Sequence, residues 1–397
     1  MILNVRSFPL ESVLHSYIGG LWGEEPGRSE VDVKVMRITE LGANGTSDLS
    51  TSAIRSLTAK QVASRKLHEG DLVLEKSGGG PKTPVGRVAL IGALSQEVIC
   101  SNFMLLMRPN HGLVLSKYLH HFLTYLHMTG QTIPLQSSST NIRNISTPDY
   151  MQIDVPLPTL EEQRRIVESL DEHLSRLDKA LAEIDASSLR AASFRRSLLE
   201  QALFGDSSLG ITTLGDHIQT RKSKGIPSQE PGAKYLGLEH VEAHGGRVLG
   251  FDSASKYRST SPIVEEGDLL YGRLRPYLNK VVISPERLYV SGEFIVMPRS
   301  ATLDTPFLKY LLMSPRFLAF TALLDTGDRP RVSWDKIANF EFRLPDLEGQ
   351  KRIVDEIESS LAVTGSMQKD FENLKRHSQT LRRSLLHAAF SGKLGNG

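Results

Sequence analysis

The chain has 397 residues, 40% hydrophobic and 23% charged, with 47 Lys and Arg against 45 Asp and Glu. This composition excludes a disordered chain, and the length favours two or three domains over one. The single cysteine, Cys100, excludes a disulfide framework and a cysteine-rich zinc module, and the net charge of +2 gives no sign of a strongly basic nucleic-acid binder.

No apolar run approaches the roughly 20 residues that span a bilayer. The start, Met1-Ile2-Leu3-Asn4-Val5-Arg6, lacks the basic and apolar regions of a signal peptide. The sequence therefore reads as a soluble, cytoplasmic protein.

Residues 1–156 form a first block, read as α/β or mostly β, with apolar runs bounded by Gly and Pro. A Gly-Asp turn at Gly70-Asp71 leads into a strand. The loop SGGGPKTPVG follows, with Lys76, Lys82 and Arg87 around it. The string LSKYL at 115–119 reads as part of a short helix, on which the pair His120-His121 is structural.

Residues 157–205 read as one long helix. Thr159 and Glu162 have capping-box spacing, and Gly205 sits where a helix ends. Val167, Leu170, Leu174, Leu177, Leu181 and Ile184 recur in steps of three and four. That is a coiled-coil seam.

Residues 206–343 form a second block that echoes the first. EEGDLLYGRLRP answers HEGDLVLEKSGG, and FLKYL at 307–311 answers LSKYL. Its basic residues bunch in loop-like stretches: Arg221, Lys222 and Lys224; Arg273 and Arg275; Arg329 and Arg331. Gly-rich backbone can approach phosphate closely, and Arg can read guanine edges, so these and the first block's cluster are the candidate DNA contacts. Solvated surface charge is the alternative for each.

Residues 344–397 carry a second long helix and the tail. Residues 344–392 repeat 157–205 at a constant offset of 187, and 16 of the 49 positions are identical, clustered at the two ends. Asp346 replaces Thr159 as cap, Gly349 replaces the capping-box Glu, and Gly365 interrupts the middle. The seam begins Val354, Ile357, Leu361 and is expected to resume out of phase at Met367, Phe371, Leu374, Leu381 and Leu385. The chain is thus a tandem duplication of mixed α+β class, each half a globular block followed by a helix. By segment, residues 1–158 and 209–345 carry net charges of +1 and +3, and residues 159–205 and 346–392 carry −2 and zero, so any basic surface belongs to the blocks.

Catalytic motifs are missing. Gly78-Gly79-Gly80-Pro81-Lys82-Thr83 fails phosphate-loop spacing, and His240 and His244 stand in HVEAH rather than HExxH. There is no NPPY methyltransferase motif and no glycine-rich dinucleotide fingerprint.

The strings PLPTLEEQRRIVESLDEHLSRLD, RLPDLEGQKRIVDEIESSL and LRRSLLHAAFSGKL resemble the conserved regions of type I restriction–modification specificity subunits. EKSGGGPKTPVGRVALI resembles that family's target-recognition domains. The resemblance covers essentially the whole chain. It implies two target-recognition domains, each binding half of a split, asymmetric DNA site. It further implies that the two helices pair antiparallel as a spacer, with a pseudo-two-fold arrangement. The subunit would have no catalysis and no cofactor of its own. It would recruit two adenine-N6 methyltransferase subunits, which use S-adenosylmethionine, and in the restriction form a nuclease/translocase that uses ATP and Mg. Partner docking would carry over to Leu160, Gln163, Arg165, Ile166 and Val167, and to Leu347, Gln350, Arg352, Ile353 and Val354. Gly349 and Gly365 make the two docking sites unequal. The competing readings are a coiled-coil scaffold without a DNA role, and a nuclease with a dispersed motif.

Overall fold

In the computed structural model, residues 5–42, 45–80, 83–139, 142–324 and 327–391 are described. The chain forms two units, Met1–Glu183 with Leu374–Gly397, and Ile184–Asn373. Each therefore contains one head and parts of both long helices.

The first head is built around the strand Leu72–Glu75, buried along its whole length. A continuous apolar run after a Gly-Asp turn suits a central strand covered on both faces. It pairs antiparallel with Val88–Leu90 on one side and Met104–Pro109 on the other, and Leu14–Gly19 extends this sheet. A second sheet sets Val31–Met36 antiparallel to Ala53–Leu57 and parallel to Val98–Cys100. The helix Ser116–Met128 supplies Tyr118, Leu119, Phe122 and Leu123 to the core.

The second head repeats the plan. Leu269–Gly272 is likewise fully buried, between Val281–Ile283 and Phe294–Met297. A second sheet orders Lys224–Gly225, Ser261–Val264, Leu288–Val290, Lys234–Leu236 and Asp252–Ser253, with one parallel pairing, 234–236 on 288–290. The helix Thr305–Met313 puts Phe307, Leu308 and Leu311 into its core.

Each head is closed by its own ends. Ser7–Pro9 pairs antiparallel with Asp154–Pro156, and Ile211–Thr213 with Glu341–Arg343. The long helices start a few residues later, at Leu160–Phe204 and Leu347–Phe390. Thr159 forms the expected capping box, its hydroxyl accepting from Glu162 N (3.3 Å) while Glu162 Oε2 accepts from Thr159 N (2.9 Å). Asp346 caps the second helix by accepting from Gly349 N at 2.8 Å.

The two helices pack antiparallel within each unit. In the first, Leu170 and Leu174 meet Leu386 and Ala389, and Asp178 pairs with the buried Arg382. In the second, Leu199 and Leu203 share a core with Val354 and Ile357. The first helix follows its expected seam: Val167, Leu170, Leu174 and Leu177 are buried. The second departs from it. Met367, Leu374 and Leu381 are exposed, and Ser378, Arg382, Leu386 and Ala389 are the buried positions. The cause is the head helix: Phe390 stacks on Tyr125 at 5.7 Å and packs edge-on against Tyr118 and Phe122, which fixes the face that turns inward.

Candidate nucleic-acid interface

Both heads carry the same loop on the same support. The turn before the central strand uses Gly70 (φ +89°) and Gly267 (φ +82°), a backbone region open chiefly to glycine. The buried carboxylates Asp71 and Asp268 accept from His68 N (2.7 Å) and Glu265 N (2.9 Å), tightening that turn. At the far end of the strand the chain enters the basic loop.

In the first head this loop pairs with a polar hairpin, Gln136–Ser139 with Ile142–Ile145. Ile145 N donates to Lys76 O (2.7 Å), Ser77 bridges Asn144, and Gly78 N donates to Arg143 O (3.1 Å). In the second head Val332 N donates to Arg273 O (3.0 Å), Leu274 bridges Arg331, and Arg275 N donates to Pro330 O (2.8 Å). The ladder is the same, residue for residue: 76, 77 and 78 against 145, 144 and 143; 273, 274 and 275 against 332, 331 and 330. Gly78 (φ +124°) and Arg275 (φ +52°) occupy equivalent positions, both with left-handed backbone.

The candidate DNA contacts thus divide. Arg275, Arg329, Arg331, Lys222 and Lys224 are exposed, and Lys76 and Arg273 are half-buried. Arg331 donates to Glu293 at 2.7 Å, and Arg273 Nε is buried with no hydrogen-bond partner among the described residues. Arg87 and Arg221 are internal struts. Arg87 grips the buried Glu75 with two hydrogen bonds (2.8 and 2.9 Å) and reaches Leu41 O. Arg221 grips the buried Asp268 likewise (2.7 and 3.0 Å). A basic residue's sequence neighbourhood does not reveal that its charge is already matched by a carboxylate 12 or 47 residues away. Lys82 lies outside the described residues. The polar hairpin with Ser137, Ser138, Arg143 and Asn144 is not among the expected contacts; the run QSSSTNIRN, polar and β-branched around a turn, is its signal in the sequence.

The candidate docking residues also divide. Gln163 and Gln350 are fully buried. Gln163 Oε1 accepts from Leu115 N (2.9 Å), and its amide donates to Leu113 O (3.0 Å) and Pro158 O (2.9 Å). Gln350 repeats the set with Asp304 N (2.7 Å), Thr302 O (2.9 Å) and Pro345 O (3.0 Å). Val167 and Val354 are buried, and Leu160, Ile166 and Ile353 half-buried. Arg165, Leu347 and Arg352 are exposed, Arg165 in an ion pair with Glu161. The two Gln anchors equate Leu115 with Asp304, so the head helices match start to start and the strings LSKYL and FLKYL lie one turn out of step. His121 and Tyr310 are then equivalent, and they bond Asp171 (3.0 Å) and Glu358 (3.3 Å). The His121 bond, followed by that of Lys117, holds the Asp171 carboxyl down to about 2.

Among the described residues, Glu239, His240 and Asp252 lie close enough to share a cation, and His240 Nδ1 already accepts from Gly237 N at 3.1 Å. Among the described residues no helix is long and apolar enough to cross a membrane.

Comparison with known proteins agrees with this geometry. The family model described as "Type I restriction modification DNA specificity domain" matches residues 31–185. The type I restriction enzyme StySPI specificity subunit of Salmonella potsdam is 24% identical over 366 residues, covering 83% of this chain and 76% of that protein. The EcoKI specificity subunit of Escherichia coli K12 is 25% identical over 357 residues, with the same coverage. For the EcoDI specificity subunit of Escherichia coli, 22% identical, the match spans 62% of this chain and 63% of the relative, under two thirds of its length. Among solved structures, a chain from work on complex assembly and conformational transition of the type I R-M system superposes with a TM-score of 0.73 at 16% identity, covering 99% of this chain and 100% of that one. The HsdS subunit of Thermoanaerobacter tengcongensis gives 0.53 at 15% identity, covering 99% and 98%. Family model and curated relatives make this chain similar to type I restriction–modification specificity subunits, and the solved structures share its fold.

Proposed function

We propose that this chain is the non-catalytic DNA-reading subunit of a type I restriction–modification enzyme, each head reading one half of a split, asymmetric target. One observation carries the reading. The two heads present the same backbone ladder with different side chains: Ser77, Gly78, Arg143 and Asn144 in one, Leu274, Arg275, Pro330 and Arg331 in the other. A shared scaffold with unlike edges is what two unlike half-sites require, since base readout depends on donor and acceptor pattern. A two-stranded ribbon such as the first head's hairpin is of a size the major groove admits.

The helices then set the distance between half-sites and dock two adenine-N6 methyltransferase subunits. Arg165, Leu347 and Arg352 are the exposed members of the docking set. S-adenosylmethionine belongs to those partners, and ATP and Mg to a nuclease/translocase partner where one is present. The assembly works on DNA in the cytoplasm.

Long-read detection of modified adenines, in cells with and without the gene, tests the reading. A bipartite motif with two unlike halves should disappear with the gene, and Arg275→Ala should weaken selection in one half only. An unchanged methylation pattern would leave the coiled-coil scaffold as the better account.

A further inference from the structure

The first unit holds a cavity of about 410 Å³, with Trp22, Arg37, Ile38, Thr39, Asn102 and Phe103 in its wall. Backbone contacts assemble it. Leu21 N donates to Cys100 O (2.9 Å), Gly20 N to Met104 O (3.1 Å) and Ser101 N to Met36 O (2.9 Å). Gly20 is required by closeness, because a Cβ there would lie 2.2 Å from Cys100 O and 2.3 Å from Ser101 O. The segment leading to Trp22 is therefore pressed onto the turn that carries Asn102 and Phe103.

The cavity shares its wall with the root of the reading loop. Phe103 O accepts from both Lys76 N (3.0 Å) and Ser77 N (3.2 Å). A Cβ on Gly78 would stand 2.6 Å from Ile38 Cδ1, so the loop lies directly on a wall residue. Arg37 is fixed rather than free: its guanidinium holds the buried Glu40 (2.8 and 3.0 Å) and Thr51 O (2.6 Å).

These are the parts that accept a nucleobase. Phe103, with 41% of its area exposed, offers a stacking surface, and Trp22 is a half-buried aromatic wall backed by the Arg55 guanidinium 4.4 Å from its ring centre. Asn102 and Thr39 offer donors and acceptors for a base edge, and Asn is the side chain suited to an adenine-type edge. The volume lies within the range of small-ligand sites and exceeds one base. We propose that this cavity receives one unstacked base of the half-site read by the first head. The proposal rests on that head being a DNA reader, and it adds an extrahelical base to groove contacts.

The test uses the chain assembled with its methyltransferase partner and a duplex carrying its motif. 2-Aminopurine, whose fluorescence is quenched by stacking, replaces each position of the first half-site in turn. The expected result is a several-fold rise at one position other than the methylated adenine. The rise should be lost in Trp22→Ala and Phe103→Leu and kept in Trp22→Phe. Affinity for the motif should fall roughly 5- to 150-fold in Trp22→Ala, the worth of one base–aromatic stack. Phe103→Leu keeps the carbonyl that anchors the loop, which separates loss of stacking from loss of fold. If the wild-type complex binds its motif and no such position brightens, or the signal persists in both variants, the cavity is not a base site and the head remains a reader. If the complex does not select the motif at all, the DNA-reading assignment falls and this proposal with it.

Discussion

Gln163 and Gln350 show what a single side chain contributes here. Each is a buried amide at the first turn of a long helix, and each satisfies one N–H and two carbonyls where head meets helix. Their importance was legible in the sequence, since both fall in the identical opening of the repeat. Their role was not, because identity between two copies says nothing about which way a side chain points. Replacing Gln350 with Leu keeps most of the volume and strands three polar backbone groups. We expect a loss of about 2–3 kcal/mol, seen as a lower denaturant midpoint. Arg165→Ala, which removes an exposed ion pair with Glu161, should stay within about 0.5 kcal/mol in the same assay. The basic residues teach a similar lesson. Arg87 and Arg275 are indistinguishable by composition, yet one neutralises a buried glutamate and the other is exposed.

The long helices were the most legible elements. Their caps and lengths follow from the sequence, and so does the first helix's seam. The second helix misleads past Gly365: the out-of-phase seam expected through Met367, Leu374 and Leu381 is exposed, because its last turns answer to the aromatic surface of the head helix rather than to its helical partner alone. Two leucines separate these accounts. Leu381 is 51% exposed and Leu386 is 0% exposed. Leu386→Ala should cost about 2–5 kcal/mol and Leu381→Ala well under 1, measured by urea denaturation of the full chain. Equal losses would restore the out-of-phase seam through Leu381. The repeat is also unequal. Asp178 and Arg382 form an ion pair in one unit, while the positions 187 residues away are Gly365 and an exposed Arg195. A glycine in place of the acid removes that pairing from the second copy.

For the whole molecule, duplication was visible in the constant offset, and the mixed class of the heads in their short apolar runs. Their sheet order was not, because pairings such as Val31–Met36 on Val98–Cys100 join segments some 60 residues apart with no periodic signature. The preserved helix length, with free drift in the middle, fits a spacer. Inserting one heptad in each helix at matched positions lengthens each by about 10 Å, or roughly three base pairs. Methylome sequencing of that variant should show a longer gap between unchanged half-sites; an unchanged gap would remove the ruler from the account.

The strand pairs that close each head have one more consequence. Because Ser7–Pro9 lies against Asp154–Pro156, and Ile211–Thr213 against Glu341–Arg343, the chain enters and leaves each head only a strand's width apart, about 5 Å. A head is therefore a cassette. A foreign sequence grafted between them needs ends that close and, where its head helix begins, the backbone N–H and carbonyl that Gln163 or Gln350 engages. The nearly identical helix ends supply natural crossover points in the gene. On the proposed function, exchange of a whole head would then change one half of the target and leave the other half as it was.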